Sequence, residues 1–272
     1  MTRAIAESFV RARLAAVALP DFPGTIPAEL DAAYAIQDAA IAMWPDAIAG
    51  WKVGRIPSPA RERYGEDRLV GPIFRRAVQT ARSGETVTVP VFGGGFAAVE
   101  AEFVFRLASD APADKQTWTL DEAAQMVAAM HIGVEPASSP LASINQLGPA
   151  VVVSDFGNNA GLIVGPEIPQ WRSRDTSTLV CETFIEGRSV GRGGANSIPG
   201  TPLAALTFAL ARCARRGKPL RAGEFLSSGA ATGIHDILPG QSARISFAGD
   251  GEILCRVVAA QPATAVSRAS AR

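Results

Sequence analysis

Apolar residues recur at helical spacing near the start of the chain. Ile5, Phe9, Leu14 and Val17 mark one stripe within residues 4–18, and Leu30, Tyr34 and Ile41 mark another among the alanines between Pro27 and Met43. One apolar position every three to four residues predicts two amphipathic helices, with Pro27 suited to a first turn. Beyond them the period shortens, and glycine and proline punctuate brief apolar runs: GWKVG (50–54), VTVPVF (87–92), VEAEFVFRL (99–107), HIGVE (131–135), VVVSD (151–155), GLIVG (161–165) and TLVCETFI (178–185). Runs of this length, rich in β-branched and aromatic residues and bounded by breakers, predict strands. Two more helices are predicted. One covers 121–130 and is capped at Thr119 or Asp121; the other covers 202–215, with Leu203, Leu206, Leu210 and Cys213 on one stripe and Gly217 as its stop. Gly249-Asp250-Gly251 between apolar runs predicts a hairpin. The charged, turn-rich stretch 56–68 predicts a loop or lid, and the Ala-, Ser-, Thr- and Arg-rich stretch 261–272 a disordered tail. The expectation is an α+β fold: a helical N-terminal region with its lid over 1–75, a curled β body over 76–260, and the tail.

Composition narrows the function classes. A chain of 272 residues with 47% hydrophobic and 19% charged residues has enough apolar surface to bury a core. Lys and Arg together number 26, as do Asp and Glu, so no basic excess points to nucleic acid. The short run Arg212, Arg215, Arg216 and Lys218 reads as the solvated end of a helix. Cys181, Cys213 and Cys255 are far apart and form no C-x-x-C pair, which argues against a disulfide framework or a zinc site. No run reaches the ~20 apolar residues of a membrane span. The first residues are broken by Arg3, Glu7, Arg11 and Arg13 and lack a signal-peptide core. The cytoplasm is the expected location, with no membrane and no nucleic-acid partner.

The candidate chemistry starts at Val99-Glu100-Ala101-Glu102-Phe103. Residues two apart in a strand share a face, so Glu100 and Glu102 stand side by side, with Val99, Ala101 and Phe103 on the opposite face. Like charges so placed repel. Either that face is open to water or a cation sits between them, and carboxylates match a hard divalent ion such as Mg²⁺ or Mn²⁺. Glu135 ends the apolar run HIGVE, where a carboxylate needs a reason to be; it is a third ligand or the first residue of a loop. Lys52, between Trp51 and Val53 and flanked by glycines, is either a surface side chain or a group able to stabilise an oxyanion or relay a proton. His235 is a candidate substrate contact or a loop histidine, and His131 reads as structural. Arg55, Arg61 and Arg63 lie by the lid, where they would clamp a substrate carboxylate or simply face water.

In sequence order, GWKVG, VEAEFVFRL, GVEPASSPL, VVVSDFGNNAGLIVGP, VGRGGANSIPGTPLAAL and FLSSGAATGIHDILPGQSARISF resemble the 2-keto-4-pentenoate hydratase and 4-oxalocrotonate decarboxylase group of the fumarylacetoacetate hydrolase superfamily. The resemblance runs from about Leu30 to Val257. It implies a mixed β-roll with outer helices, assembled into homo-oligomers. It also implies Mg²⁺ or Mn²⁺ on Glu100, Glu102 and Glu135, with Lys52 and Asp155 as catalytic groups. The Ser228-Gly229 turn would have its backbone facing a small 2-oxo acid. Two departures stand out. Leu69-Val70 occupies the place of a hydratase aspartate, with Asp67 out of register, and the turn after Asp155 (Phe156-Gly157-Asn158-Asn159) is one residue longer. The implied reaction is hydration of a 2-hydroxypenta-2,4-dienoate to a 4-hydroxy-2-oxo acid. The alternatives are decarboxylation of 4-oxalocrotonate type, C–C hydrolysis of an acylpyruvate, and a scaffold without chemistry.

Overall fold

The structure is a computed structural model and describes residues 1–263. Its elements run α1 (Thr2–Ala15), α2 (Leu30–Met43), β1 (Ile48–Arg55), α3 (Ala60–Tyr64), β2 (Arg68–Phe74), β3 (Val78–Thr80), β4 (Thr86–Val91) and β5 (Phe96–Leu107). They continue α4 (Leu120–Gln125), β6 (Val127–Ser139), α5 (Ile144–Leu147), α6 (Pro149–Ser154), β7 (Leu162–Glu167), β8 (Val180–Ile185) and β9 (Arg188–Gly194). The last are α7 (Thr201–Arg215), β10 (Phe225–Ser227), β11 (His235–Asp236), β12 (Ser242–Phe247) and β13 (Gly251–Ala259).

The strands form two sheets. The larger has the order β2-β1-β10-β5-β6-β7-β3, with β11 also pairing β5, and the smaller has the order β4-β13-β12-β8-β9. β5 and β6 are the longest strands, and they pair antiparallel from Phe96–Ser139 to Leu107–Val127. The predicted alternation along β5 holds. Val99, Ala101 and Phe103 join the core between the sheets, where the Phe103 ring meets Phe247 of β12 edge-on at 5.6 Å. Glu100 and Glu102 therefore face the other side. Leu206, Leu210 and Cys213 of α7 pack into the same core with Trp51 and Leu226. A second cluster, including Ile5, Phe9, Ile36, Phe74 and Phe156, joins α1 and α2 to β2 and the segment after α6.

Several elements depart from expectation. The helix expected over 121–130 stops at Gln125, although its Thr119–Glu122 capping box is present. From Val127 the chain pairs with β5, and that long ladder outweighs helical preference. VVVSD is not a strand. Pro149 opens α6 after Gly148, whose φ is 97°, and Val151 and Val153 are buried by helix packing. Residues 48–74, expected in the helical N-terminal region, supply β1 and β2 of the larger sheet. The lid stretch 56–68 contains α3. Arg212 and Arg216, expected in a solvated helix end, keep side chains only 5% and 7% exposed. They lie over the Tyr34 ring at 5.1 and 4.3 Å and pair with Glu66 and Asp38 respectively. Burying the guanidiniums in this way fastens the end of α7 to α2. Of the expected tail, residues 264–272 lie outside the described residues. Among those described, no helix is long and apolar enough to cross a membrane.

One close approach fixes the turn after α6 against β2. A Cβ on Gly71 would lie 2.1 Å from the carbonyl oxygen of Phe156. Gly71→Ala is therefore expected to cost about 1–3 kcal/mol through overpacking. The check is a lower urea midpoint at unchanged slope; an unaltered midpoint would show that this contact has slack.

Candidate metal centre

Sheet order brings the predicted acids together. Glu100 stands directly opposite Glu135 in the β5–β6 ladder, and opposed residues share a face. On the other side of β5, Ser227 of β10 pairs Val104, and Lys52 of β1 pairs Ser227. Four adjacent strands thus carry Lys52, Ser227, Glu100, Glu102 and Glu135. The glutamates do not face water: Glu100 is 5% exposed, Glu102 and Glu135 are 0% exposed, and Lys52 is 5% exposed. Each glutamate offers an oxygen within 4.8 Å of the others. With one lysine against three carboxylates, the buried face has an acidic surplus, which is costly without a further cation.

The hydrogen bonds point to where that cation belongs. Glu102 Oε2 accepts from the Ser227 hydroxyl and from the Gly229 amide at 2.9 Å. Glu135 Oε1 accepts from Asn159 Nδ2 at 3.0 Å and faces Lys52 Nζ at 3.3 Å. The remaining oxygens, Glu102 Oε1 and Glu135 Oε2, are buried without a partner. Buried carboxylate oxygens are normally satisfied, and an all-oxygen acidic set suits a hard divalent ion. The residues therefore fit Mg²⁺ or Mn²⁺.

The electrostatics agree. Burial pushes the Glu100 carboxyl up to about 8, with Lys52 opposing and Glu135 adding to the rise. Burial, followed by the charges of Glu135 and Glu100, lifts Glu102 well above the usual carboxylate range, against the pull of Lys52 and the Ser227 bond. Burial works to strip the Lys52 proton. The charges of Glu135, Glu100 and Glu102 outweigh it and hold that pKa above its ordinary value.

The other predicted site residues divide. Both amides of the Ser228-Gly229 turn are taken, Ser228 N by Phe103 O and Gly229 N by Glu102, so neither is free for a substrate. The Ser228 hydroxyl is buried without a partner and is the free group of that turn. Asp155 lies outside the glutamate cluster. Its carboxylate accepts from Arg13 Nε at 2.5 Å, from Arg13 Nη2 at 2.9 Å and from Ser139 Oγ at 2.6 Å, which ties it to α1 and β6. His235 sits on β11 beside Val99, its Nε2 3.1 Å from Thr232 Oγ1, and burial lowers its pKa. Arg55 ends β1 exposed. Arg61 pairs with Glu62, and Arg63 stacks on Tyr64. Asp67 pairs with Arg68 at the surface, whereas Leu69 and Val70 are buried.

Sequence reasoning missed Ser227, Asn159 and Arg13. The first two lie within motifs that it singled out, without a role being given to them. Arg13 had a legible signal, because it continues the Ile5, Phe9 stripe at the next i+4 position, where a charge needs a buried partner.

No family model matches the chain. A 2-keto-4-pentenoate hydratase from Paraburkholderia xenovorans (strain LB400) is 27% identical over 206 residues, 76% of this chain and 74% of that protein. A 4-oxalocrotonate decarboxylase from a Pseudomonas species is 32% identical over 111 residues, 37% of this chain and 42% of that protein. The structure of 4-oxalocrotonate decarboxylase from Pseudomonas putida G7, complexed with magnesium and adipate, superposes with a TM-score of 0.76 at 21% identity, covering 94% of this chain and 97% of that one. These likenesses bear out the resemblance carried by the motifs, and the mixed α+β fold is shared with that decarboxylase structure.

The raised Glu100 pKa has a consequence for stability. Between the ordinary 4.5 and about 8, the folded metal-free chain keeps a proton that the unfolded chain releases. The folded state then binds more protons, so this contribution to stability falls as pH rises through that window. Melting temperatures measured in EDTA across it should decline, and Glu100→Gln should flatten the decline. Equal slopes for the two proteins would contradict the assignment.

Proposed function

We propose that this chain is a divalent-metal-dependent lyase acting on a small 2-oxo or 2-hydroxy-dienoic acid, with Mg²⁺ or Mn²⁺ held by Glu100, Glu102 and Glu135. The observation that carries the proposal is the pair of orphaned buried oxygens, Glu102 Oε1 and Glu135 Oε2, on the face shared with the Lys52 ammonium. A 2-oxo acid presents a carboxylate and a C2 oxygen side by side, the donor pair that such an ion takes. When bound, the cation supplies Lewis-acid stabilisation of negative charge at the C2 oxygen. Lys52 adds a second positive charge on the same face and holds a proton at Nζ for the substrate. The free Ser228 hydroxyl is a donor for the bound acid. Burial of the whole set excludes water and strengthens each of these interactions.

The first reading is hydration of a 2-hydroxypenta-2,4-dienoate to a 4-hydroxy-2-oxo acid, the activity named for the hydratase relative. One observation favours a second reading, decarboxylation of 4-oxalocrotonate type. Leu69 and Val70 are buried at the place of the hydratase aspartate, and Asp67 turns away to Arg68. Of the two, Leu69 shares the Lys52 face of the β1–β2 ladder; it offers no group to orient water, and an apolar contact disfavours a carboxylate relative to carbon dioxide. Either way, we place the protein as a cytoplasmic homo-oligomer in the breakdown of aromatic compounds.

The discriminating experiment follows ultraviolet absorbance and carbon dioxide release from 2-hydroxypenta-2,4-dienoate and from 2-oxo-3-hexenedioate, with Mg²⁺ and with EDTA. Metal-dependent loss of the dienoate without carbon dioxide is the expected result. Carbon dioxide release from the hexenedioate would select the second reading, and no turnover of either would overturn the substrate class. Glu135→Gln is expected to abolish both cation binding and turnover while circular dichroism shows the fold intact. Full activity in that variant would remove the metal from the proposal.

A further inference from the structure

Three successive residues after Asp155 have positive φ: Phe156 at 55°, Gly157 at 67° and Asn158 at 64°. Two of them are not glycine, and one is a buried phenylalanine. Such a turn persists only where its surroundings hold it. Beside the Gly71 contact and the packing of the Phe156 ring on Trp44 and Phe74, Arg13 reaches in from α1 to hold it. Its Nε and Nη2 donate to the Asp155 carboxylate at the start of the turn, and its Nη1 donates to the Asn159 carbonyl at the end, at 2.9 Å. Nη2 also donates to Ser138 O at 3.1 Å, and the guanidinium lies between the Phe92 and Phe156 rings at 5.5 and 5.2 Å. One cation therefore clamps both ends of the turn.

The clamped turn rests against the metal centre. A Cβ on Gly157 would lie 3.3 Å from Lys52 Cδ. Asn159 Nδ2 donates to Gly161 O at 2.9 Å and to Glu135 Oε1 at 3.0 Å, which leaves Glu135 Oε2 as the unpartnered oxygen.

We propose that Asn159 is a positioning residue for the cation, aimed by the Arg13–Asp155 clamp: it ties down Oε1 of Glu135 so that Oε2 is the oxygen presented. The inference rests on the reading that Glu100, Glu102 and Glu135 hold a divalent ion. Without the Asn159 bond the Glu135 carboxylate is free to rotate, and the Lys52 ammonium competes with the cation for both of its oxygens. Helix α1, which carries none of the glutamates, thereby becomes part of the metal centre, and Asp155 acts on it through Arg13. Partners of this kind change metal affinity by about 10–100-fold.

The test is titration of the metal-free protein with Mn²⁺ alone, followed by electron paramagnetic resonance of the free ion, with the melting temperature in EDTA measured alongside. Asn159→Ala is expected to weaken Mn²⁺ binding by about 10–100-fold while the metal-free protein still melts cooperatively, at a temperature lowered by loss of the Gly161 bond. Arg13→Met should weaken binding in the wild-type background and add little in the Asn159→Ala background, the mark of two residues acting through one path. If Arg13→Met does not fold, Asn159→Ala decides alone. Wild-type binding with Asn159→Ala equally tight overturns this inference and leaves the metal reading standing. Failure of the wild type to bind Mn²⁺ overturns both.

Discussion

The antiparallel pairing of Glu100 with Glu135 is the constraint from which the rest of the site follows. Side chains alternate along a strand, so a slip of one residue would turn the glutamates of β5 into the space filled by Phe103 and Phe247. Burying those rings is strongly favourable, and burying carboxylates there is strongly unfavourable. The hydrophobic core between the sheets thus sets the register, and the register sets the distance between the acids. Fold stability and site geometry are secured by the same strand.

Two kinds of buried acid occur in this structure, and their hydrogen bonds tell them apart. Both oxygens of Asp155 are taken by Arg13 and Ser139. Such a carboxylate is compensated by a paired guanidinium and has a donor on each oxygen. Glu102 and Glu135 each have one oxygen engaged and one orphaned. Protein donors on one side of each carboxylate orient it, and the free side is left for an ion. Burial of an acidic surplus weakens the metal-free chain, and that cost is what gives a cation its grip.

Much of this was legible from local pattern. The alternation in VEAEF placed two glutamates on one face and three core residues on the other. The order of the motifs implied the lyase resemblance and named Glu135 and Lys52 as companions of that pair. The first two helices, the Gly249–Gly251 hairpin and α7 came from periodicity and breakers, signals that act within a turn or two of chain.

What the sequence by itself determined was therefore local. It specified which residues of β5 alternate, where α1, α2 and α7 lie, and which two glutamates stand side by side. Tertiary structure decided what each polar group meets. Asp155 sits in a motif of the resemblance, yet its partner is Arg13, 142 residues away, which ties it to α1. Arg212 and Arg216 look like a solvated helix end until Tyr34 of α2 provides a ring to lie against. VVVSD has strand composition, but Pro149 and helix packing bury its valines in α6. Asn159 meets Glu135, 24 residues away, through its side chain and Arg13, 146 residues away, through its carbonyl. Hydrophobic periodicity is written in neighbouring residues. The compensation of a buried charge depends on groups brought together by folding, and no local pattern encodes them.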